Sequence, residues 1–518
     1  MNLPTLALTL FLVVNVLADG DGLSILTQQG SVVGTLVLPT VRQFLGIPFA
    51  TAERFRPPTE PPHHSLPFNA TSFGDSCPQL LNQNLFEFWE LTGVSKDDLI
   101  VPASDDCLSV NIWTPSIKRK QGTAVMIWIY GGGFTMGTSN FPRYNGQNLV
   151  RDHDITIVSL NYRLNIFGFP GAPQLANETI SGSQNLGLLD IDAAIDWVYA
   201  NIASFGGDPE RITIFGQSAG SVAVDAYAFA HPNDTRVKGL IELSGTVSGV
   251  APSGPLNPEP WNTIATMVGC GNEATPAQFT CMQNIPAGSL EDAVINSNVS
   301  FKLVQDNITI FTDPVARSAA GNFLRVPLLG GSTAQEGDIL YVWLELLAQG
   351  FVVLSLTELA SDALTLLGFS CPAALLASDR VKLGVPTFRY QYEAIFPNIS
   401  PQPGLRAYHS SELPILFGTY NDSTITIPST SAEVALSSYL QSAWVAFAND
   451  PHNGLVDFGW PSYNPLTPSL IRIGNVANQT GAVFTKPDVI DLPCANIATL
   501  TNVFAELSSM LPPVMAAL

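Results

Sequence analysis

The chain has 518 residues and a formal charge of −21, with 22 lysines and arginines against 43 aspartates and glutamates. Such an acidic balance argues against nucleic acid and anionic membrane surfaces as partners. The length exceeds that of an ordinary domain, but no low-complexity linker or internal repeat divides it, so residues 19–518 read as one large domain with long insertions.

Residues 1–18 (MNLPTLALTLFLVVNVLA) form an uncharged apolar run ending in small residues before Asp19, which reads as a secretory signal peptide. It is short for a membrane span, and no later segment reads as apolar enough to cross a bilayer. The expected location is secreted and extracellular. Eight N-x-[ST] sequons, at Asn69, Asn177, Asn233, Asn298, Asn307, Asn398, Asn421 and Asn478, are candidate glycan sites that suit this location. Six cysteines in an oxidising compartment suggest disulfides, for which 15 connectivities are open.

The mature chain opens on SVVGTLVLPTVRQFLGIPFA, alternating and broken by glycine, which predicts a small antiparallel hairpin sheet. Cys77 and Cys107 bracket an insert, LLNQNLFEFWELTG (80–93), with Leu81, Leu85, Phe88 and Trp89 on one helical face. That face is either core packing or a lid or gorge wall over a site. Asp105 to Trp113 leads into the first clear core strand, Thr123–Ile129, which ends in Tyr130 and three glycines, Gly131 to Gly133. A bare backbone at a strand end can aim N–H groups at a ligand. Residues 155–161 read as another strand, 188–205 as an amphipathic helix and 238–245 as the next strand, the alternation of an α/β fold with a parallel sheet.

The stretch FGGDPERITIFGQSAGS (205–221) organises this pattern. Arg211–Phe215 is a β-branched strand, Gly216-Gln217-Ser218-Ala219-Gly220 a sharp turn, and 221–230 a helix-tolerant run. This is G-x-S-x-G in the strand–turn–helix context of a nucleophile elbow. Both glycines are needed because side chains there would meet neighbouring backbone. The serine stands at a helix N-terminus, where amide dipoles favour developing negative charge.

Such a serine needs a base and an acid to orient it. After the strand 326–331 comes GSTAQEGD, offering Glu336 with Asp338 as rival; either carboxylate could instead cap a helix. Of six histidines, His63 and His64 lie in a Pro-rich stretch before the elbow, and His153, His231 and His452 lie in turns. Only His409 follows a late strand (387–393) and a long loop. The order Ser218, Glu336, His409 is that of α/β-hydrolases.

With DDCLSVNIW (105–113), GGGF (131–134), FGGDPERITIFGQSAG (205–220), GSTAQEGD (331–338) and HSSELPILFG (409–418), the chain resembles the type-B carboxylesterase/lipase family from about residue 24 to 465. NYRLNIFGFPGAP and QNLGLLD look most like secreted fungal lipases and sterol esterases. The resemblance implies an α/β-hydrolase fold with a large, mostly parallel sheet and helices on both faces. It implies Ser218 as nucleophile, His409 as general base, Glu336 as its orienter, and N–H groups of Gly132, Gly133 and Ala219 as the oxyanion hole. Cys77–Cys107 and Cys270–Cys281 would be family disulfides, and elimination leaves Cys371 and Cys494 as a third pair. Two departures stand out: Tyr130 where many esterases have histidine, and Gln217 where cholinesterases carry glutamate, which weakens any case for a cationic substrate.

The expected activity is serine ester hydrolysis through an acyl-enzyme, with no metal and no cofactor. The apolar insert at 80–93 and the run Ile339 to Leu354, for which simple core packing is the alternative, favour long-chain acyl esters or lipid at a lipid–water interface. A short-chain carboxylesterase is the alternative, and a non-catalytic adhesion protein of the same fold the remote one. The sequence is silent on oligomeric state.

Overall fold

The computed structural model describes residues 21–81, 86, 89–90, 92–99, 101–177, 183–249, 253–297, 299–339, 354–422 and 426–496. The signal sequence expected over 1–18, Leu85 and Phe88 of the insert, and nearly all of the apolar run 339–354 lie outside them.

The strands in chain order are β1 (Ser24–Thr27), β2 (Gly30–Val33), β3 (Thr35–Leu38), β4 (Val41–Pro48), β5 (Phe68–Asn69), β6 (Ser109–Pro115), β7 (Thr123–Ile129), β8 (Ile155–Leu160), β9 (Gly207–Gln217), β10 (Val237–Leu243), β11 (Ser253–Gly254), β12 (Leu303–Val304), β13 (Leu328–Thr333), β14 (Thr387–Tyr392), β15 (Leu470–Ile473) and β16 (Ala482–Thr485). Eleven form one sheet in the order β16-β15-β14-β13-β10-β9-β7-β8-β6-β4-β3. The run from β15 to β8 is parallel throughout. Both flanks are antiparallel. Every residue of β6, β7, β8 and β14 is buried, polar ones such as Asn111 and Arg389 included, as expected of a sheet covered on both faces.

Two sequence readings change here. The N-terminal segment is not one hairpin sheet: β1 and β2 pair in a separate three-stranded sheet with β5, whereas β3 and β4 join the large sheet. Gly34 separates β2 from β3 and lets the chain change sheets, because a Cβ there would lie 2.4 Å from Gln43 O and from the Phe44 ring. The second change concerns membrane-length segments. Leu354–Leu364, a π-helical turn at Thr365–Ser370 and Cys371–Lys382 run on continuously, and the part Glu358–Lys382 is long and apolar enough to cross a membrane. Its charged residues and Pro372 hide this in the sequence. Phe369, Cys371, Leu376 and Ala377 are buried in the fold, so its apolar character serves core packing.

The helix α1 (Leu186–Phe205) packs on β9 and stops at Gly206, whose φ of 94° is a left-handed C-terminal cap. The helix α2 (Ala219–Ala230) follows β9 directly, and α3 (Ser431–Asn449) is started by a capping box between Thr430 and Glu433. Cysteines pair as 77–107, 270–281 and 371–494.

Candidate active site

The singled-out residues gather at the carboxyl ends of the parallel strands, where an open α/β sheet builds its sites. β9 ends at Gln217 and hands over to Ser218, which has φ 58° and ψ −125°. A non-glycine residue in this region costs on the order of 1–3 kcal/mol, and the surroundings impose it. The Ser218 N–H donates to Leu243 O at 2.8 Å, and its carbonyl accepts from Val222 N–H at 2.9 Å. The flanking glycines are sterically required. A Cβ on Gly216 would lie 2.4 Å from Gly220 backbone, and one on Gly220 would lie 2.0 Å from Ile129 O. The hydroxyl-bearing residue therefore sits immediately ahead of α2, with Ala219 as the first helical residue.

The three glycines after β7 lie against this turn. A Cβ on Gly131 would be 2.8 Å from Ser218 Cβ, and Gly132 and Gly133 adopt φ of 110° and 63°. Tyr130 does not reach into the site. It is fully buried and stacks on Tyr162 with centroids 4.6 Å apart. Each hydroxyl donates to the other residue's carbonyl, at 3.2 and 2.9 Å. The residue that departs from the esterase pattern thus braces the glycine loop from below.

Glu336 is fully buried just past β13. Its Oε1 accepts from Ser244 Oγ at 2.5 Å and from Thr333 N–H at 2.6 Å, and its Oε2 lies 2.5 Å from His409 Nδ1. Asp338, the rival carboxylate, faces elsewhere: it accepts from Ser361 Oγ at 2.7 Å and from the Arg406 guanidinium at 2.7 and 2.9 Å. The two loops are joined by a parallel bridge between Gln335 and Tyr408, with Gln335 N–H donating to Ala407 O at 3.0 Å. This bridge holds a histidine 73 residues away in sequence against the glutamate. His409 Nε2 lies 3.1 Å from Nε2 of Gln217, the neighbour of Ser218.

Four contributors escaped the sequence reading. Ser244, with φ 59°, follows β10 and supports the glutamate; its one signal was a polar residue at a strand end. Gln217 was noted only as a departure. Phe369 packs on the His409 ring with centroids 5.2 Å apart, delivered by the π-helical turn, whose Thr365 Oγ1 accepts from Gly337 N–H at 3.0 Å. Such a turn has no sequence signature, though it recurs at functional sites. Glu412 is buried three residues after the histidine, and burial, with the charge of Glu336, pushes its carboxyl up to about 8.

Of the lid candidates, Leu81 is half-buried and Trp89 packs on Phe141, 6.0 Å between centroids. The segment's end is fixed: Thr92 and Val94 are buried, and Thr92 O accepts from Arg143 at 2.9 Å. One sequon is corrected. Asn398 is buried, and its Nδ2 donates to Tyr420 O and Glu433 Oε1, so the folded chain has no room for a glycan there. Asn69, Asn233, Asn307 and Asn421 are exposed, Asn478 is half-buried, and the side chains of Asn177 and Asn298 lie outside the described residues. Among the described residues no group of three or more His, Cys, Asp or Glu side chains could hold a metal ion.

A nucleophile elbow, a histidine paired with a buried glutamate and a glycine loop on an eleven-stranded sheet define an α/β-hydrolase. The chain belongs to the carboxylesterase family, whose sequence profile matches residues 21–350 and 352–489. It is 34% identical over 505 residues to a chlorogenic acid esterase of Aspergillus niger, covering 90% of this chain and 93% of that one. It is 32% identical over 492 residues to secreted lipase 5 of Gibberella zeae, covering 88% and 90%. A solved PNB esterase superposes with a TM-score of 0.75 at 27% identity, covering 91% of this chain and 99% of that one.

Proposed function

We propose that this chain is a secreted serine ester hydrolase that acts on esters with long, apolar acyl groups. The observation that carries the hydrolase chemistry is the pairing of buried Glu336 with half-buried His409, at 2.5 Å, with the second imidazole nitrogen facing the residue beside Ser218. His409 takes the Ser218 Oγ proton as the oxygen attacks the ester carbonyl, and Glu336 holds the ring as the Nδ1–H tautomer and stabilises the imidazolium. The N–H groups of Gly132, Gly133 and Ala219 receive the oxyanion. His409 then protonates the leaving alcohol, and water repeats the cycle to free the acid.

The preference for long acyl chains rests on the apolar insert at 80–93 and on likeness to a secreted lipase. Likeness to a chlorogenic acid esterase favours a second reading, a carboxylesterase for soluble esters. Secretion is supported by the apolar N-terminus, three disulfides and exposed sequons. Hydrolysis of an ester series from butyrate to emulsified long-chain triacylglycerol, with Ser218→Ala as blank, tests it. Rates that hold or climb with chain length support a lipase, collapse beyond short chains makes it a carboxylesterase, and no activity above the blank reopens the adhesion reading.

A further inference from the structure

Gln217 ends β9 one residue before Ser218 and is 3% exposed. Its carboxamide spans the site. A Cβ on Gly131 would lie 3.0 Å from Oε1, and Nε2 lies 3.1 Å from His409 Nε2. Donor and acceptor chemistry fixes the direction of this contact. His409 Nδ1 faces Glu336 Oε2, and a carboxylate only accepts, so the ring proton is on Nδ1 and Nε2 keeps the single lone pair. The Gln217 N–H donates into that lone pair. In acyl transfer the same lone pair must receive the Ser218 proton, and it cannot serve both at once.

We propose that Gln217 is a positioning residue that caps the base of the resting enzyme, holding His409 as the Nδ1–H tautomer until substrate displaces the amide. This rests on the acyl-transfer reading of Ser218 and His409. The cap forms only with a ring that retains its lone pair, so it favours the base form of the site over the protonated one. A carboxylate at 217 would do the reverse, pairing with the protonated ring. Because the other end of the amide abuts Gly131, a carbonyl arriving at the glycine loop meets the side chain that covers the base.

The other groups on the imidazole are Glu336 at Nδ1 and the Phe369 ring, with Glu412 on the following turn near Glu336, and Tyr390, whose phenol burial holds protonated, near both carboxylates. Asp338 and Arg406 are committed to each other. All are common to the wild type and to the variants Gln217→Met and Gln217→Glu, which keep the side-chain length.

The test is kcat/KM for a soluble short-chain ester against pH, with Ser218→Ala as blank. The acidic limb moves to higher pH by roughly half a unit in Gln217→Met and by about one unit or more in Gln217→Glu. Either variant alone decides the direction if the other does not fold. Coincident limbs overturn the cap, as does a limb that moves to lower pH in Gln217→Met, which would mean that the amide accepts from Nε2–H. Absence of Ser218-dependent hydrolysis in the wild type overturns the acyl-transfer reading and the cap with it.

Discussion

Arg406 takes both carboxylate oxygens of Asp338, at 2.7 and 2.9 Å, while Glu336, two residues earlier, is left to His409. Two acids that look equivalent in GSTAQEGD thus have separate tasks. Glu336→Gln should lower kcat by several powers of ten with little loss of fold, because the amide's N–H₂ can face Nδ1 and impose the wrong tautomer. Asp338→Asn should leave kcat within about tenfold and cost ~1–3 kcal/mol in urea unfolding, since Arg406 is partly solvated. If Asp338→Asn proves the more damaging to kcat at equal stability, the assignment is reversed.

Ser218 offers a test that separates chemistry from strain. Ser218→Ala and Ser218→Gly should each lose activity on the order of 10⁶-fold. The glycine variant should nonetheless unfold about 1 kcal/mol later than the alanine variant, because φ 58° is strained for any side chain and free for glycine. Equal melting of the two would show that the turn is not under strain.

The elbow glycines should be among the least replaceable residues. Gly220→Ala places a methyl 2.0 Å from Ile129 O, inside a sheet that cannot yield, and should cost about 3 kcal/mol or more. Gly254→Ala, with nothing within 4 Å of the new Cβ, serves as the matched control and should stay within about 0.5 kcal/mol. Thermal and urea unfolding of both proteins check this.

Glu412 should make the fold sensitive to alkali. Its carboxyl ionises near 4.5 when unfolded and only at about 8 in the native chain, so between these values the native state holds a proton that the unfolded state has lost. The stability it contributes is fully present below pH ~4.5 and falls as pH rises to about 8. Glu412→Gln removes this dependence, so its stability relative to wild type should increase by a few kcal/mol from pH 5 to pH 8. A constant difference across that range would mean that Glu412 is ionised in the native state.

The strand–turn–helix around Ser218 and the mostly parallel character of the sheet were legible because each is written in local chemistry, glycines where backbone must approach and apolar stretches for buried strands. Glu336 and His409 were reached only as candidates, by place after a strand and by elimination. Departures from the sequence reading have long-range causes. Nothing near Gly34 announces that β2 and β3 belong to different sheets, since that depends on β5 and β6 arriving later in the chain. Asn398 satisfies a sequon yet is buried, because its partners come from Tyr420 and Glu433. The Phe369–His409 contact depends on a π-helical turn at Thr365–Ser370, for which periodicity gives no warning.

The bridge between Gln335 and Tyr408, together with the pairing of β13 and β14, fixes where acid and base meet. The chain that runs between these anchor points does not set that distance. Changes in the length of the intervening chain therefore leave acid and base in place, at an entropic cost that grows only slowly with length. The acid–base geometry is thereby insulated from the chain between Glu336 and His409, which stand 73 residues apart.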